Sequence, residues 1–199
     1  MANDILMQHA DIVSLHDVVA ELPEVIEEVV NIETPTKVYE PDEEQTWISD
    51  HRHEQTEKWK WIKEYGEENR KLIVVCHYIE QMEELAEKLK SQKPVFVVNG
   101  RTKNQEQVIK EAQESPDAYL LVQSAMGEGY DAYMFDAMIF ASMPHRVLFY
   151  EQMRARLDTV ERDLMKPKVY ITLLGGIWDR RIYRSVKDGF DFSIHNYKV

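Results

Sequence analysis

The sequence predicts an α/β fold: a doubly wound, mainly parallel sheet with helices on both faces, preceded by a helical connector. Three observations predict it. From Lys71 onward, short apolar runs alternate with segments whose apolar residues recur every three or four positions. The runs are almost continuously apolar, as strands covered on both faces require. At 199 residues, with 44% hydrophobic and 30% charged content, the chain is long enough for one substantial core.

Residues 1–70 differ from the rest and read as a lead-in or connector ahead of a main domain over 71–199. Residues 15–30 mix apolar positions with Glu24, Glu27 and Glu28 and are interrupted by Pro23, and 29–32 read as a short strand ended by Thr34-Pro35. Between 42 and 65, Trp47, Ile48, Trp59 and Ile62 lie among charged residues. They predict one or two amphipathic helices ending near Gly66. The main domain then predicts a strand over 72–76, a helix over 79–89 with Met82, Leu85 and Leu89 on one face, and a strand over 95–98. A helix over 104–114 follows, with strands over 119–122 and 137–140. A helix over 148–157, a strand over 169–174 and a helix over 178–186 complete the order.

The net charge of −12 argues against a phosphate-rich partner, because such binding draws on Lys and Arg. Its distribution softens the objection. Up to residue 142 there are 13 Lys+Arg against 29 Asp+Glu, whereas from 143 onward there are 11 against 7. A solvated helix face laced with ion pairs accounts for the same basic residues. The single Cys76 lies inside an apolar run and reads as a buried thiol, with no disulfide or zinc framework. No run of eighteen apolar residues and no signal-like start is present, so a cytoplasmic protein without a membrane partner is expected.

Loops at the carboxyl ends of parallel strands are where open α/β sheets bind ligands, and the candidate residues follow from that rule. After the strand at 119–122 stand Gln123, Ser124 and the loop Gly127-Glu128-Gly129-Tyr130-Asp131, whose glycines allow a tight turn and a close backbone approach. A plain strand-to-helix turn explains these letters too. The helix over 148–157 carries Gln152, Arg154 and Arg156, and planar guanidinium groups suit phosphate recognition; a basic surface helix paired to Glu151, Asp158 and Glu161 is the other reading. His77 and Tyr78 follow the first main-domain strand, and Gly100 and Arg101 the second, in positions suited to holding a phosphate backbone without reading sequence. Asp42-Glu43-Glu44 lacks a preceding strand, and His51 and His53 face apart on a helix, so no metal site is expected.

The blocks KLIVVCHY, VFVVNGR, LLVQSAMGEGYD and FYEQMRARLDT occur in this order. In that order, over residues 71–191, the chain resembles the second RecA-like lobe of superfamily-two helicases, most closely the Swi/Snf-like DNA translocases and their phage relatives. The resemblance implies that Gly127, Glu128, Gly129, Asp131 and Gln152 meet a nucleotide, with Arg154 and Arg156 as candidate catalytic arginines. It also implies nucleic-acid contacts at His77, Tyr78, Gly100, Arg101, Gln123 and Ser124, and a setting in a bacterial or phage-infected cell. The family pattern Gln-x-x-Gly-Arg-x-x-Arg departs here: Ala155 stands in the glycine position and Thr159 where the last arginine is expected, and Gln123 stands where relatives often have Thr.

No Gly-x-x-x-x-Gly-Lys-Ser/Thr loop and no strand ending in Asp-Glu occurs in the sequence. ATP and Mg are therefore expected to be shared with a first lobe, in the same longer chain or in a separate subunit, and this chain alone is not expected to hydrolyse ATP. The expected function is the second motor lobe of an ATP-dependent DNA helicase or translocase, with RNA as a possible track. A non-catalytic nucleic-acid-binding or regulatory module on the same fold is the alternative, and an unrelated doubly wound enzyme a third reading.

Overall fold

The computed structural model describes residues 24–32, 57–127, 129–158 and 166–193. Six strands form one sheet in which every pairing is parallel: β1 (Val25–Asn31), β2 (Lys71–Cys76), β3 (Val95–Val98), β4 (Ala118–Gln123), β5 (Ala137–Phe140) and β6 (Lys168–Leu174). Their spatial order is β1-β6-β5-β2-β4-β3. The helices are α1 (57–68), α2 (Ile79–Leu89), α3 (Gln105–Glu114), α4 (Val147–Ala155) and α5 (Ile177–Lys187), with a short 3-10 turn at Ser124–Met126. This is the RecA-like architecture.

The two-residue period of the strands sorts their side chains into two cores. Ile73, Val75, Leu120, Val122, Met138 and Phe140 meet Ile109 of α3, Met153 of α4 and Ile182 of α5 on one face. Leu72, Val74, Leu121, Ile139 and Ile171 meet Ile62 of α1 and Met82, Leu85 and Leu89 of α2 on the other. Both faces are thus covered, which is why the central strands read as continuous apolar runs. Because β2 lies between β4 and β5, the chain leaves it toward one edge and later returns to its other side. The crevice at the carboxyl ends of β2, β4 and β5 is therefore a switch point of the topology.

Two departures from the sequence expectation have physical reasons. Residues 25–31, expected to give only a short strand near 29–32, pair with β6 along their whole length, from Val25 opposite Lys168 to Asn31 opposite Leu174. All but Val30 are exposed, so the strand carries little apolar alternation and owes its place to backbone pairing at the sheet edge. The helix expected to stop near Gly66 continues to residue 68. Within it, a Cβ at Gly66 would lie 1.8 Å from the Tyr119 hydroxyl oxygen, so the glycine is a packing requirement at that point. Trp47, Ile48, Asp42-Glu43-Glu44, His51 and His53 lie outside the described residues.

Candidate functional site at the carboxyl rim of the sheet

Three strand ends meet at the rim. The His77 amide, just past β2, donates to the Ser142 hydroxyl at 2.7 Å, and its ring Nδ1 lies 3.1 Å from the Ser124 hydroxyl just past β4. The Ser142 hydroxyl donates in turn to Gln81 Oε1 at 2.5 Å. Lys58, from α1, donates to the Ala141 carbonyl at 2.8 Å and pairs with Asp179 of α5, whose carboxylate also accepts the Gly175 amide at 2.9 Å. A buried polar network therefore ties α1, α2 and α5 to the ends of β2 and β5. Such a network fixes one arrangement, because each partner lost leaves a buried polar group exposed to the cost of desolvation.

The β3 end joins the same line. The Gly100 amide donates to Gln123 Oε1 at 3.1 Å, and the Asn99 side chain accepts the Arg101 amide at 2.9 Å. Gly100, Gln123, Ser124 and His77 thus run in sequence across β3, β4 and β2, with backbone N–H groups and small polar side chains along one edge. Arg101 extends outward and pairs with Glu83 at 3.3 Å. Tyr78 is 43% exposed, and its hydroxyl stands 3.5 Å from His145 Nε2. His77 and His145 stack with ring centroids 4.1 Å apart and planes 24° from parallel. Burial, and then the neighbouring His145, push the His77 imidazole down to about 4; burial lowers His145 as well.

The glycine loop packs onto the end of α4. A Cβ on Gly127 would lie 2.8 Å from Met153 Sδ, and Gly129 takes a φ of 82°, a left-handed conformation that favours glycine. Arg156 clasps this loop: its Nη1 donates to the Tyr130 carbonyl at 2.9 Å and its Nε to the Gln152 carbonyl at 3.1 Å. The Arg156 carbonyl accepts the Ala132 amide at 2.8 Å. The Asp131 carbonyl accepts from Gln113 of α3 at 2.6 Å. Tyr130 is buried and its hydroxyl has no partner among the described residues. The Glu128 side chain lies outside them.

Arg154 faces elsewhere. Its guanidinium lies between the rings of Tyr150, at 5.4 Å, and Tyr170, at 4.7 Å, and pairs with Glu27 of β1, which Lys187 also reaches at 2.9 Å. The structure therefore joins Arg156, held also by the Gln152 carbonyl, to the glycine loop and joins Arg154 to the outer edge of the sheet. Both guanidinium groups are engaged within the chain. No group of three or more metal-ligating side chains occurs, and no helix is long and apolar enough to cross a membrane, among the described residues.

Sequence reasoning missed Lys58, Gln81, Ser142, His145 and Asp179. The partners that tie them to α1, α2 and the strand ends lie 60 to 121 positions away, so no local pattern marks them. The one available signal was position: Ser142 and His145 follow β5 as His77 follows β2.

Residues 57–158 match the profile described as the helicase conserved C-terminal domain. The fold is similar to that of the C-terminal part of the Fun30 ATPase domain, with a TM-score of 0.54 and 14% identity over 65% of this chain and 43% of that one. Domain 2 of the DEAD-box helicase Mss116p, bound to an RNA duplex, gives 0.59 and 13% over 84% of this chain and 60% of that one. S. cerevisiae Dbp5, bound to RNA and ADP BeF3, gives 0.58 and 14% over 87% and 40%. The chain thus spans from 40% to 60% of the length of these structures. No curated protein sequence matches it. With the profile covering more than half of its residues on an all-parallel RecA-like sheet, the chain belongs to the helicase conserved C-terminal domain family.

Proposed function

We propose that this chain is the second motor lobe of an ATP-dependent helicase or translocase, of Swi/Snf-like character and acting on DNA, with RNA the other track. The observation that carries the reading is the line Gly100, Gln123, Ser124 and His77 along one rim, beside a glycine loop clasped to α4 by Arg156. Small polar side chains and an imidazole in such a line, oriented by the Gly100 and His77 amides that donate to Gln123 and Ser142, suit a phosphate backbone and read no base. Two of the similar structures hold RNA, which supports nucleic acid as the class of partner. Basic residues concentrated after residue 142 support it further.

In this reading a first lobe, in the same longer chain or in another subunit, holds ATP and Mg. The residues of this chain supply two linked parts. His77, Tyr78, Gly100, Arg101, Gln123 and Ser124 hold one strand, while Arg156 couples α4 to the loop at 127–131, so that a shift of the helix moves Ser124 and Gln123 with it. Hinge closure of two lobes biased by ligand contacts converts such coupling into movement along the track.

The test is ATP turnover with DNA or RNA present, for the chain alone and with a first-lobe partner. Turnover only with the partner is expected; substantial turnover by the chain alone overturns the assignment. A non-catalytic nucleic-acid-binding or regulatory module is the second reading, favoured by the internal engagement of Arg154 and Arg156 and by Ala155 and Thr159. Salt-dependent binding that ignores both nucleotide and partner would select it.

A further inference from the structure

We infer that the stacked imidazoles of His77 and His145 form a proton-sensitive latch. It holds the segment after α5 across the start of α4, closed while both rings are neutral and opened when they are protonated.

The geometry makes one ring pair carry several contacts. His77 is fixed from the β2 side by its hydrogen bonds to Ser142 and Ser124, and His145 stacks on it at 4.1 Å. Phe192 covers His145 edge-on at 5.4 Å and donates its amide to the His145 carbonyl at 2.7 Å. The residue before it, Asp191, accepts the Val147 amide at 2.9 Å, capping the first turn of α4, whose own N-cap residue Arg146 makes no side-chain cap bond. Trp178 of α5 packs against Phe192 at 6.4 Å. The tail is thereby fastened both to a histidine and to the helix that bears Gln152 and Arg156.

The surroundings offer little to offset charge on the rings. The Tyr78 hydroxyl and the Ser124 and Ser142 hydroxyls are uncharged neighbours. Asp179 of α5 is already paired with Lys58 of α1, and Asp191 of the tail is engaged by the Val147 amide. Arg146 before α4, over Phe149, and Arg181 of α5, over Trp178, are positive. Two imidazolium rings stacked in this setting repel with no carboxylate between them, and the depressed His77 value agrees with a neutral resting pair. Parting the rings removes the surface on which Phe192 rests. The latch holds whether or not the functional reading above is right; if it is, a phosphate arriving at His77 favours the charged form and opens the latch closer to neutrality.

Ring titrations and amide exchange, both by NMR on the full chain between about pH 7.5 and about pH 3.5, a range that takes in the His77 titration, test this. After correction for intrinsic exchange, protection of the Phe192 amide is expected to fall on the order of tenfold as the imidazoles titrate, through a local opening insensitive to low urea, whereas the Val74 amide in β2 exchanges by global unfolding and follows urea. His145→Phe keeps a ring in place that cannot charge, and its Phe192 protection should stay flat. His77→Phe, the second variant, leaves His145 alone to titrate and should shrink the response. Unchanged Phe192 protection in the wild type, an equal loss in His145→Phe, or Phe192 exchange with the same urea dependence as Val74 overturns the latch.

Discussion

Lys58 and Asp179 pair across 121 positions of sequence, with the lysine side chain 1% and the aspartate 17% exposed. The pair stitches the helix preceding β2 to the first turn of α5, over the Ala141 carbonyl. Removing one partner strands the other in a poorly solvated place. Lys58→Met is expected to cost about 3 kcal/mol or more of unfolding free energy, and Lys58→Met with Asp179→Leu to recover part of it. Urea denaturation of the wild type, the single variant and the double variant checks this; equal losses would show that the pair is not the source.

Gly66→Ala places a methyl group 1.8 Å from the Tyr119 hydroxyl oxygen and 2.8 Å from the ring carbon bearing it. That hydroxyl donates to Gln92 at 2.5 Å, so moving it also breaks a hydrogen bond. A loss of about 1–3 kcal/mol is expected despite the better helix propensity of alanine. Tyr119→Phe in the same chain removes the nearest atom and should recover a share of the loss, read as a rise in melting temperature.

Tyr130→Phe removes a buried hydroxyl that has no partner among the described residues. Burial without a partner penalises the wild type, so the variant is expected to be neutral or stabilised by about 1 kcal/mol. A large destabilisation would reveal a hydrogen bond to this hydroxyl.

Arg154 and Arg156 should separate in their effects. Arg154→Ala leaves Glu27 to Lys187 alone and uncovers Tyr150 and Tyr170, so about 1–2 kcal/mol of stability and protection of the β1 amides are expected to go. Arg156→Ala releases the Tyr130 carbonyl and should lower ATP turnover of the reconstituted two-lobe motor while leaving nucleic-acid affinity nearly intact. The reverse pattern, affinity lost and turnover kept, would reassign Arg156 to the track.

Acid should act in two windows. Burial and His145 hold folded His77 at about 4 against an ordinary 6.5, so the unfolded chain takes the proton first and stability falls as pH drops through that interval. Asp136 behaves oppositely in origin. Burial pushes its carboxyl up, but hydrogen bonds from Lys166, at 2.6 Å, and the Lys71 amide, at 2.8 Å, help hold it below the ordinary 3.8. Its contribution is present above that value and is lost as pH falls below it. His77→Gln should flatten the upper window and Asp136→Asn the lower one in denaturation curves.

Much of the fold was legible. The elements at 79–89, 95–98 and 137–140 fall where periodicity puts them, because residues covered on one or both faces leave that record in the sequence itself. The rim residues His77, Gly100, Gln123 and Ser124 were also reachable, since a strand end locates them by rule. The edge strand β1 was less so: its exposed residues follow no apolar period, and only pairing with a segment 143 positions later defines it.

The sequence by itself determined the parallel sheet, its helices and the strand ends that form the rim, because each is written in contacts between near neighbours or in continuous burial. Tertiary structure alone decided which way the arginines face. Two residues apart at a helix end, they sit about 200° around its axis from each other, so Arg156 reaches the glycine loop while Arg154 reaches β1. It also decided the stack of His77 on His145 and the pairing of Lys58 with Asp179. These join groups 68 and 121 positions apart, and one chain's local pattern carries no record of where a distant segment will return.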